Sequence, residues 1–572
     1  MKREAKAWVG AAAGFAALAL LLSGCTQPGV DDGTDSTATS SASGASTDLI
    51  DAAHSVGAMD DFQVGDTFKA TEPIDISLMY RDMPNYPVKD DWLLFSQIEA
   101  NQNVTFTRTD IPFADWQTKR GLTITGGDAP ELMPVFYSGE ETAYAGSGVL
   151  LPISDYLEYM PNFSALLDDW DLRDYFETKA QSDGKVYHLP GLMEIAKVQY
   201  SIIVRDDMWE AAGLTDDPAT MEDLQAALQA LKDTGLCTSG YPLSAANNAK
   251  DIMAQFSPGY GTSLGDWSIQ GSSAVWDEDA GEYVFAGMQE GNKELVTYLA
   301  GLVSSGLMDP ESMTQSTTDN TAAAAKFTSG QSCAMTGNDQ DANNAQKTIQ
   351  ENGIDTTVHM LRVPEGPAGD LISGGQRFSS GMIFSSALAD DPHFKAILQF
   401  VDWLYFSEEG VEFAQWGVQC DDGATDSSTC TYTKDADGVR TLMSDINNAQ
   451  GLNPAGTKML TPDYGFGNGV FWPANGTYKD LMLSYYSPIM ADFAEKMADK
   501  GETATAPPTP MDDDTLQQTG ALYTALRDAV NTADTKFILG QQPMSDWDAY
   551  VSQLQSLSVD QYIQLYNDAV KQ

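Results

Sequence analysis

Between Pro73 and Tyr137 short apolar runs alternate with amphipathic ones, and this alternation limits the possible folds more than any other feature. "PIDISLMY" (Pro73–Tyr80) has a strand pattern and is followed by the turn-rich "RDMPNYPVKDD". "WLLFSQIEAN" sets Trp92, Phe95 and Ile98 on one side of a helix, and Val104–Ile111 forms the second strand candidate. "FADWQTKRGLTITGG" reads as a helix ended by paired glycines, and Pro130–Tyr137 as a third, buried strand. Strand, helix, strand, helix, strand predicts a parallel sheet with crossover helices. The pattern recurs in "QYSIIVRDDMWEAAG", a strand running into a helix. It continues in "TMEDLQAALQALKDTG", where Thr220 is the N-cap and Asp223 echoes a capping box. "GNKELVTYLAGLVSSGLMDPE" predicts a helix closed by Gly306, and "TAAAAKFTSGQSCAMTGN" a helix, a glycine and a short strand. The C-terminal third reads as mostly helical. About 500 residues exceed what one core holds, so the expected fold is α/β with two lobes.

The N-terminus carries Lys2, Arg3 and Lys6, then an apolar run from Ala7 to Leu22 that is short for a membrane span. It ends in Leu22-Ser23-Gly24-Cys25, which resembles the lipobox of bacterial lipoproteins. That resemblance implies cleavage before Cys25 and acylation of its thiol. From Thr26 to Asp48, 17 of 23 residues are Ser, Thr, Gly or Asp and none is basic, so the segment predicts a disordered tether. The expected organisation is a signal peptide over 1–24 and an acylated cysteine with its tether over 25–67. A first lobe over 68–197 plus 376–425 and a second over 198–375 plus 426–572 complete it.

The chain holds 82 acidic against 31 basic residues, so a nucleic acid is excluded as a partner by repulsion. With Cys25 set aside, Cys237, Cys333, Cys420 and Cys430 remain, with no C-x-x-C, and the four histidines are far apart. No metal site and no cofactor are expected. Cys420 and Cys430 flank the polar "DDGATDSST" and are expected to close a local disulfide, while pairing of Cys237 with Cys333 stays open. "DEDAGEY" and "KDADGVR" have calcium-like aspartate spacing but lack the full ligand set, and read as Asp-Gly hairpin turns.

Seven segments in order resemble the extracellular solute-binding proteins of bacterial ABC importers, in the broad family 1 that includes many oligosaccharide binders. They are "TGGDAPELM", "DYLEYMPNF", "DGKVYHLPG", "VRDDMWEAAGL", "PATMEDLQAALQALK", "KFTSGQSCAMTGN" and "KAILQFVDWLYFSEEGVEFAQWGVQ". The resemblance implies a periplasmic-binding-protein-like fold, two lobes joined by hinge crossings with ligand in the cleft between them. The first crossing is expected near Met193–Ser201, the second near Ile372–Ser379 and the third between Gln419 and Pro462. It also implies a monomeric, non-enzymatic receptor on the outer face of the cell membrane, lipid-anchored and delivering an oligosaccharide to permease subunits.

A saccharide needs flat aromatic platforms and fixed polar partners. "YRDMPNYP" follows the first strand, at the carboxyl end where open α/β sheets bind ligands, and offers Tyr80, Arg81, Asn85 and Tyr86. Trp92 is open between core and cleft, and Asp128 between binding a hydroxyl and capping a turn. Glycine-rich segments add Tyr260, Trp267, Tyr464, Phe466 and Trp472, and "GGQRFSSG" places Gln376 and Arg377 beside a hinge. Trp209, Trp403, Trp416 and Trp547 fall in helical patterns and are expected in the core. An exported glycoside-acting enzyme and a peptide receptor are the alternatives. "GTSLG" matches G-x-S-x-G but lacks the strand before it and the helix after it that a nucleophile needs.

Overall fold

The computed structural model describes residues 50–570 apart from 197, 263–273, 315–320, 374–376, 473–477, 505 and 508. Cys25, the tether up to residue 49, Trp267 and Gln376 lie outside the described residues, whereas residues 50–67, expected in the tether, pack on the first core through buried Ile50, Ala58 and Phe62. In chain order the strands of the two main sheets are β1 (Ile74–Asp82), β2 (Val104–Pro112), β3 (Leu132–Phe136), β4 (His188–Leu192), β5 (Tyr200–Arg205), β6 (Leu243–Ser244), β7 (Ala334–Asn338), β8 (Val358–Met360) and β9 (Phe378–Phe384). The helices that matter below are α1 (Leu93–Gln102), α2 (Trp116–Thr125), α3 (Pro161–Asp169), α4 (Met221–Thr234), α5 (Lys250–Phe256), α6 (Asp339–Glu351), α7 (Phe394–Phe406) and α8 (Pro488–Met497).

The first sheet has the order β2-β1-β3-β9-β4. β1 pairs in parallel with β2 from Ile74↔Val104 to Asp82↔Pro112, and with β3 at Leu78↔Leu132, as strand-helix alternation requires. β9 enters from the far end of the sequence and runs antiparallel to both β3 and β4. Its register shifts between Gly381 and Met382, and a Cβ on Gly381 would stand 1.9 Å from the Leu189 carbonyl oxygen, so only glycine fits this crossing. The second sheet has the order β8-β5-β7-β6, with β5 antiparallel to β7 and β8 and β6 parallel to β7.

Each sheet has its own core. Ile76, Leu78, Val135, Phe163, Ile383 and Trp403 belong to the first, and Ile203, Leu228, Leu299, Met335, Leu526 and Trp547 to the second. The chain passes from the first sheet to the second between β4 and β5, and returns between β8 and β9, the intervals in which the first two crossings are expected. The third lies later than expected: Leu481 and Tyr485 pack in the first core, Met482 and Tyr486 in the second. Buried residues between Tyr432 and Trp472, with Leu481 and Tyr485, therefore add to the first core, although the sequence pattern groups them with the second lobe. Their aromatics drive this, since Phe471 lies 6.3 Å from Tyr80 and 5.6 Å from Phe95.

Local signals hold. Thr220 and Asp223 form a reciprocal capping box on α4, which ends on Gly235 at φ +70°. Both aspartate-rich segments are antiparallel hairpins, Ala274–Asp277 with Glu282–Phe285 and Tyr432–Lys434 with Arg440–Leu442. Cys420 bonds Cys430, and Cys237 bonds Cys333, closing the pairing that the sequence leaves open.

One buried carboxylate joins two helices. Asp402 of α7 is 0% exposed and accepts from Asn162 N (2.9 Å), Asn162 Nδ2 (2.8 Å) and Phe163 N (2.8 Å), at the otherwise unsatisfied first turn of α3. Burial pushes its pKa up to about 7. Asp402→Ala orphans these donors and is expected to cost about 2–3 kcal/mol in urea unfolding, and Asp402→Asn less because one acceptor remains. A loss for Asp402→Ala below about 0.5 kcal/mol would contradict the cap.

Candidate ligand cleft

The parallel strands of the first sheet deliver their carboxyl ends to one edge, and each ends in a side chain suited to a ligand. After β1, Met83 pairs with Tyr86 in a tight turn, and Asp82 accepts Val88 N at 2.9 Å to hold it. Arg81 is half-buried, its guanidinium 5.8 Å from the Phe113 ring centre and its Nε without a partner among the described residues. Phe113 follows β2 directly and is 50% exposed, and Tyr137 follows β3 directly and is 53% exposed. Such rings on a strand-end edge, beside a cation, are apolar faces left for an occupant. The backbone under Tyr137 is fixed, because its N–H donates to Glu140, which also takes two hydrogen bonds from buried Arg120 at 2.9 and 3.0 Å. Burial opposes the charge on Glu140, but Arg120 and Tyr137 hold its carboxyl below the usual range. Just before Tyr137, Val135 has φ +63°, a strained value for a β-branched residue.

The hinge closes the other end of the edge. Met193 N donates to the Arg377 carbonyl at 2.8 Å, and Arg377 Nε donates back to the Met193 carbonyl at 2.6 Å, so two crossings are tied together. Phe378, the first residue of β9, lies 4.5 Å from the Tyr175 ring, over which Lys179 Nζ stands at 4.2 Å. In the second lobe β6 runs out into Asn247 and Ala249, both at positive φ, and then into Lys250 and Asp251 at the start of α5. Asn338, at the carboxyl end of β7, caps α6 in a reciprocal box with Asp341 and reaches the Tyr200 hydroxyl at 3.4 Å.

A separate cavity of about 1470 Å³ lies between the second lobe and the 447–454 segment, lined by Asn343, Gln346 and Gln350 of α6, His359, Asn448 and Lys496 among others. It contains no Phe, Tyr or Trp, and none of the expected residues lines it. The strand-end edge, by contrast, presents the exposed rings of Phe113 and Tyr137.

Residues 94–418 match the family described as bacterial extracellular solute-binding protein. The chain belongs to this family. The solute-binding protein thus works outside the cytoplasm and belongs with substrate receptors, not enzymes. It is 21% identical over 489 residues to the "Polygalacturonan/rhamnogalacturonan-binding protein YtcQ" of Bacillus subtilis (strain 168), covering 83% of this chain and 87% of that one. The alginate-binding protein AlgQ2, solved without calcium ion, shares the fold at TM-score 0.64 and 15% identity, with 88% of this chain and 99% of that one covered. An extracellular solute-binding protein from Bifidobacterium longum subsp. infantis does so at TM-score 0.64 and 16% identity, with the same coverage. These likenesses support a two-lobed receptor fold.

Within the solute-binding protein the expected site residues separate. Arg81, Asn85 and Tyr86 share the turn after β1, with Asn85 exposed and Tyr86 half-buried; burial raises the Tyr86 hydroxyl pKa, with Arg81 and Tyr137 as its electrostatic neighbours. Arg377 sits at the hinge and Asp128 is exposed after α2. Six others belong to the cores. Tyr80 and Trp92 are 0% exposed, and Trp92 Nε1 donates to the Pro462 carbonyl at 3.0 Å. Tyr260 packs on Tyr298 at 6.3 Å, Phe466 on Phe413 at 5.2 Å and Trp472 on Tyr485 at 5.4 Å, while the Tyr464 hydroxyl reaches Ser427 Oγ at 3.1 Å. The glycine-rich segments that carry Tyr464, Phe466 and Trp472 fold inward as a cover on the first core, so their rings are used in packing. Phe113, Tyr137, Tyr175 and Lys179 are not singled out by the sequence pattern. For Phe113 and Tyr137 a signal is nevertheless present, each being the first residue beyond a strand.

Proposed function

We propose that this solute-binding protein is the lipid-anchored receptor of an ABC importer, capturing an oligosaccharide in the cleft and delivering it to membrane permeases. The observation that carries the reading is the pair of exposed rings, Phe113 and Tyr137, flanking Arg81 at the strand ends. Tyr86, Asn85 and Arg377 supply polar contacts at or near the same edge, while Asp128 precedes β3 and so lies at the opposite end of the sheet. Two relatives whose names refer to polysaccharides, polygalacturonan with rhamnogalacturonan and alginate, support the ligand class. Cys25 is the anchor in this reading. No described helix is long and apolar enough to cross a membrane.

Isothermal titration against a panel of neutral and acidic oligosaccharides is expected to give binding, with the sugar recovered unchanged. Tyr137→Ala and Phe113→Ala are each expected to weaken binding about tenfold, the worth of one stacked ring. Cleavage products would overturn the receptor reading, and binding of peptides with no saccharide would overturn the ligand class. Cys25→Ser is expected to release the protein from the cell; retention would overturn the anchor.

A further inference from the structure

Carboxylates greatly outnumber cations in this chain, and most described lysines and arginines stand within 4 Å of one. Four half-buried cations have none among the described residues: Arg81, Lys179 and Arg377 near the strand ends and hinge of the first lobe, and Lys250 beyond the end of β6 in the second. Two more half-buried lysines lack a carboxylate elsewhere, but Lys232 donates to the Ser305 carbonyl at 2.7 Å and Lys395 lies over the Tyr159 ring. The carboxylates around the four are committed or like-charged groups intervene. Glu141, the charge closest in effect to Lys179, is 1% exposed and accepts Gly139 N at 2.7 Å. Glu194, which acts on Arg377, accepts Lys479 N at 2.8 Å, and Glu502 is exposed. Lys250 faces another cation, Arg527. Desolvation lowers the pKa of Lys179, Lys250 and Arg377, so each cation is held at a cost that a bound anion would offset.

We infer that the cleft takes an acidic oligosaccharide, one whose sugar rings carry carboxylates, with Arg81, Lys179, Arg377 and Lys250 as the receiving charges. The inference rests on the saccharide reading above and names the chemical class within it. The net negative charge of the protein does not oppose it. Charges on the outer surface are screened over about 8 Å at physiological ionic strength, whereas cations inside a cleft act on the ligand at contact. Rings and charges are also interleaved: Arg81 lies by Phe113 and Lys179 by Tyr175, which suits a pyranose with an apolar face and a carboxylate edge. A carboxylate against a guanidinium gains a charge-assisted, bidentate pair that a neutral hydroxymethyl group cannot make.

The test is titration of the full soluble chain at pH 7 with oligogalacturonate and oligomannuronate trimers, with their methyl esters, and with neutral malto- and fructo-oligosaccharides. At least one free acid is expected to bind ten times tighter or more than its ester. Arg81→Gln and Lys179→Met are each expected to weaken the acid about ten times more than they weaken the ester, and an unchanged circular dichroism melting curve shows that the variants fold. Lys69→Gln, at an exposed lysine without a carboxylate partner, is expected to change neither. Esters or neutral sugars binding as tightly as the acids would overturn the inference and leave the saccharide reading intact. Failure of every saccharide to bind would overturn that reading itself.

Discussion

Replacing Cys237 and Cys333 together by serine is expected to lower the unfolding free energy by about 4–5 kcal/mol, and the same change at Cys420 and Cys430 by only about 2.5–3 kcal/mol. The difference follows from the chain each bond closes, 96 residues in one case and 10 in the other. A cross-link removes disorder from the unfolded chain, and the amount grows with the logarithm of the loop length. The long loop runs from just past α4 to the residue before β7, and contains β6 and α5. Its closure therefore pins the segment after α4 to the start of β7 in the second sheet. Both sulfurs are buried, Cys237 at 5% and Cys333 at 0%, so two polar hydroxyls in their place add to the loss. Chemical denaturation of the two double variants side by side measures the ratio. Equal losses would mean that packing, not loop closure, sets the contribution of each bond. An extracytoplasmic protein keeps such bonds oxidised, in accord with its family.

What the sequence showed and what it hid divide along the range of the interactions. The strands and helices of 73–137, the Thr220–Asp223 box and both Asp-Gly hairpins depend on neighbours a few residues away, and each appears where the pattern put it. β9 does not follow from local pattern. It inserts antiparallel between β3 and β4 from nearly 200 residues beyond β4, and its fit turns on the single glycine at 381. The same holds for the segment to Tyr485, whose aromatics could serve a loop or a core with equal local sequence. Burial decided the matter, and Tyr464, Phe466 and Trp472 became core.

The site was legible in its place and only partly in its residues. The rule that ligands meet the carboxyl ends of strands led to the turn after β1. The same rule applied to β2 and β3 points to Phe113 and Tyr137, each the first residue past its strand and neither in a glycine-rich loop. The cations are harder to see in advance. Nothing in the sequence marks Lys179 as unpaired while Lys185, six residues on, bonds Asp155 at 2.5 Å. Pairing is a property of the folded surface, so the charge character of the cleft emerges only with the fold.

Stability is expected to fall by roughly 5–6 kcal/mol as pH rises from 6.5 to 9. Burial opposes protonation of His359, but hydrogen bonds with Asp206 at 2.5 Å and an ion pair with Asp217 at 3.5 Å outweigh it and raise its pKa to about 9. Lys496 opposes them without reversing the balance. A histidine whose folded value lies above its unfolded value of about 6.5 stabilises fully below 6.5, and the contribution is lost as pH climbs through 9. Three buried carboxyls act in the same direction, Asp402 with its value of about 7 among them. Desolvation pushes Asp534 up to about 8 and Asp251 up to about 7, and both Asp534 oxygens lack a partner among the described residues. Each binds a proton in the folded state that the unfolded state has released, so each subtracts stability as pH rises from about 4 to its folded value. Above pH 6.5 the histidine and Asp534 dominate, and each steepens the fall by at most about 1.4 kcal/mol for every step of one in pH. His188 is buried and neutral, its pKa lowered to about 4 by desolvation, so its effect falls below pH 6.5, outside this window. Thermal melts from pH 6.5 to 9 read the slope directly. His359→Gln and Asp534→Asn are each expected to flatten it, and together to remove most of it. A slope unchanged in both variants would assign the pH response to the net negative charge of the surface instead.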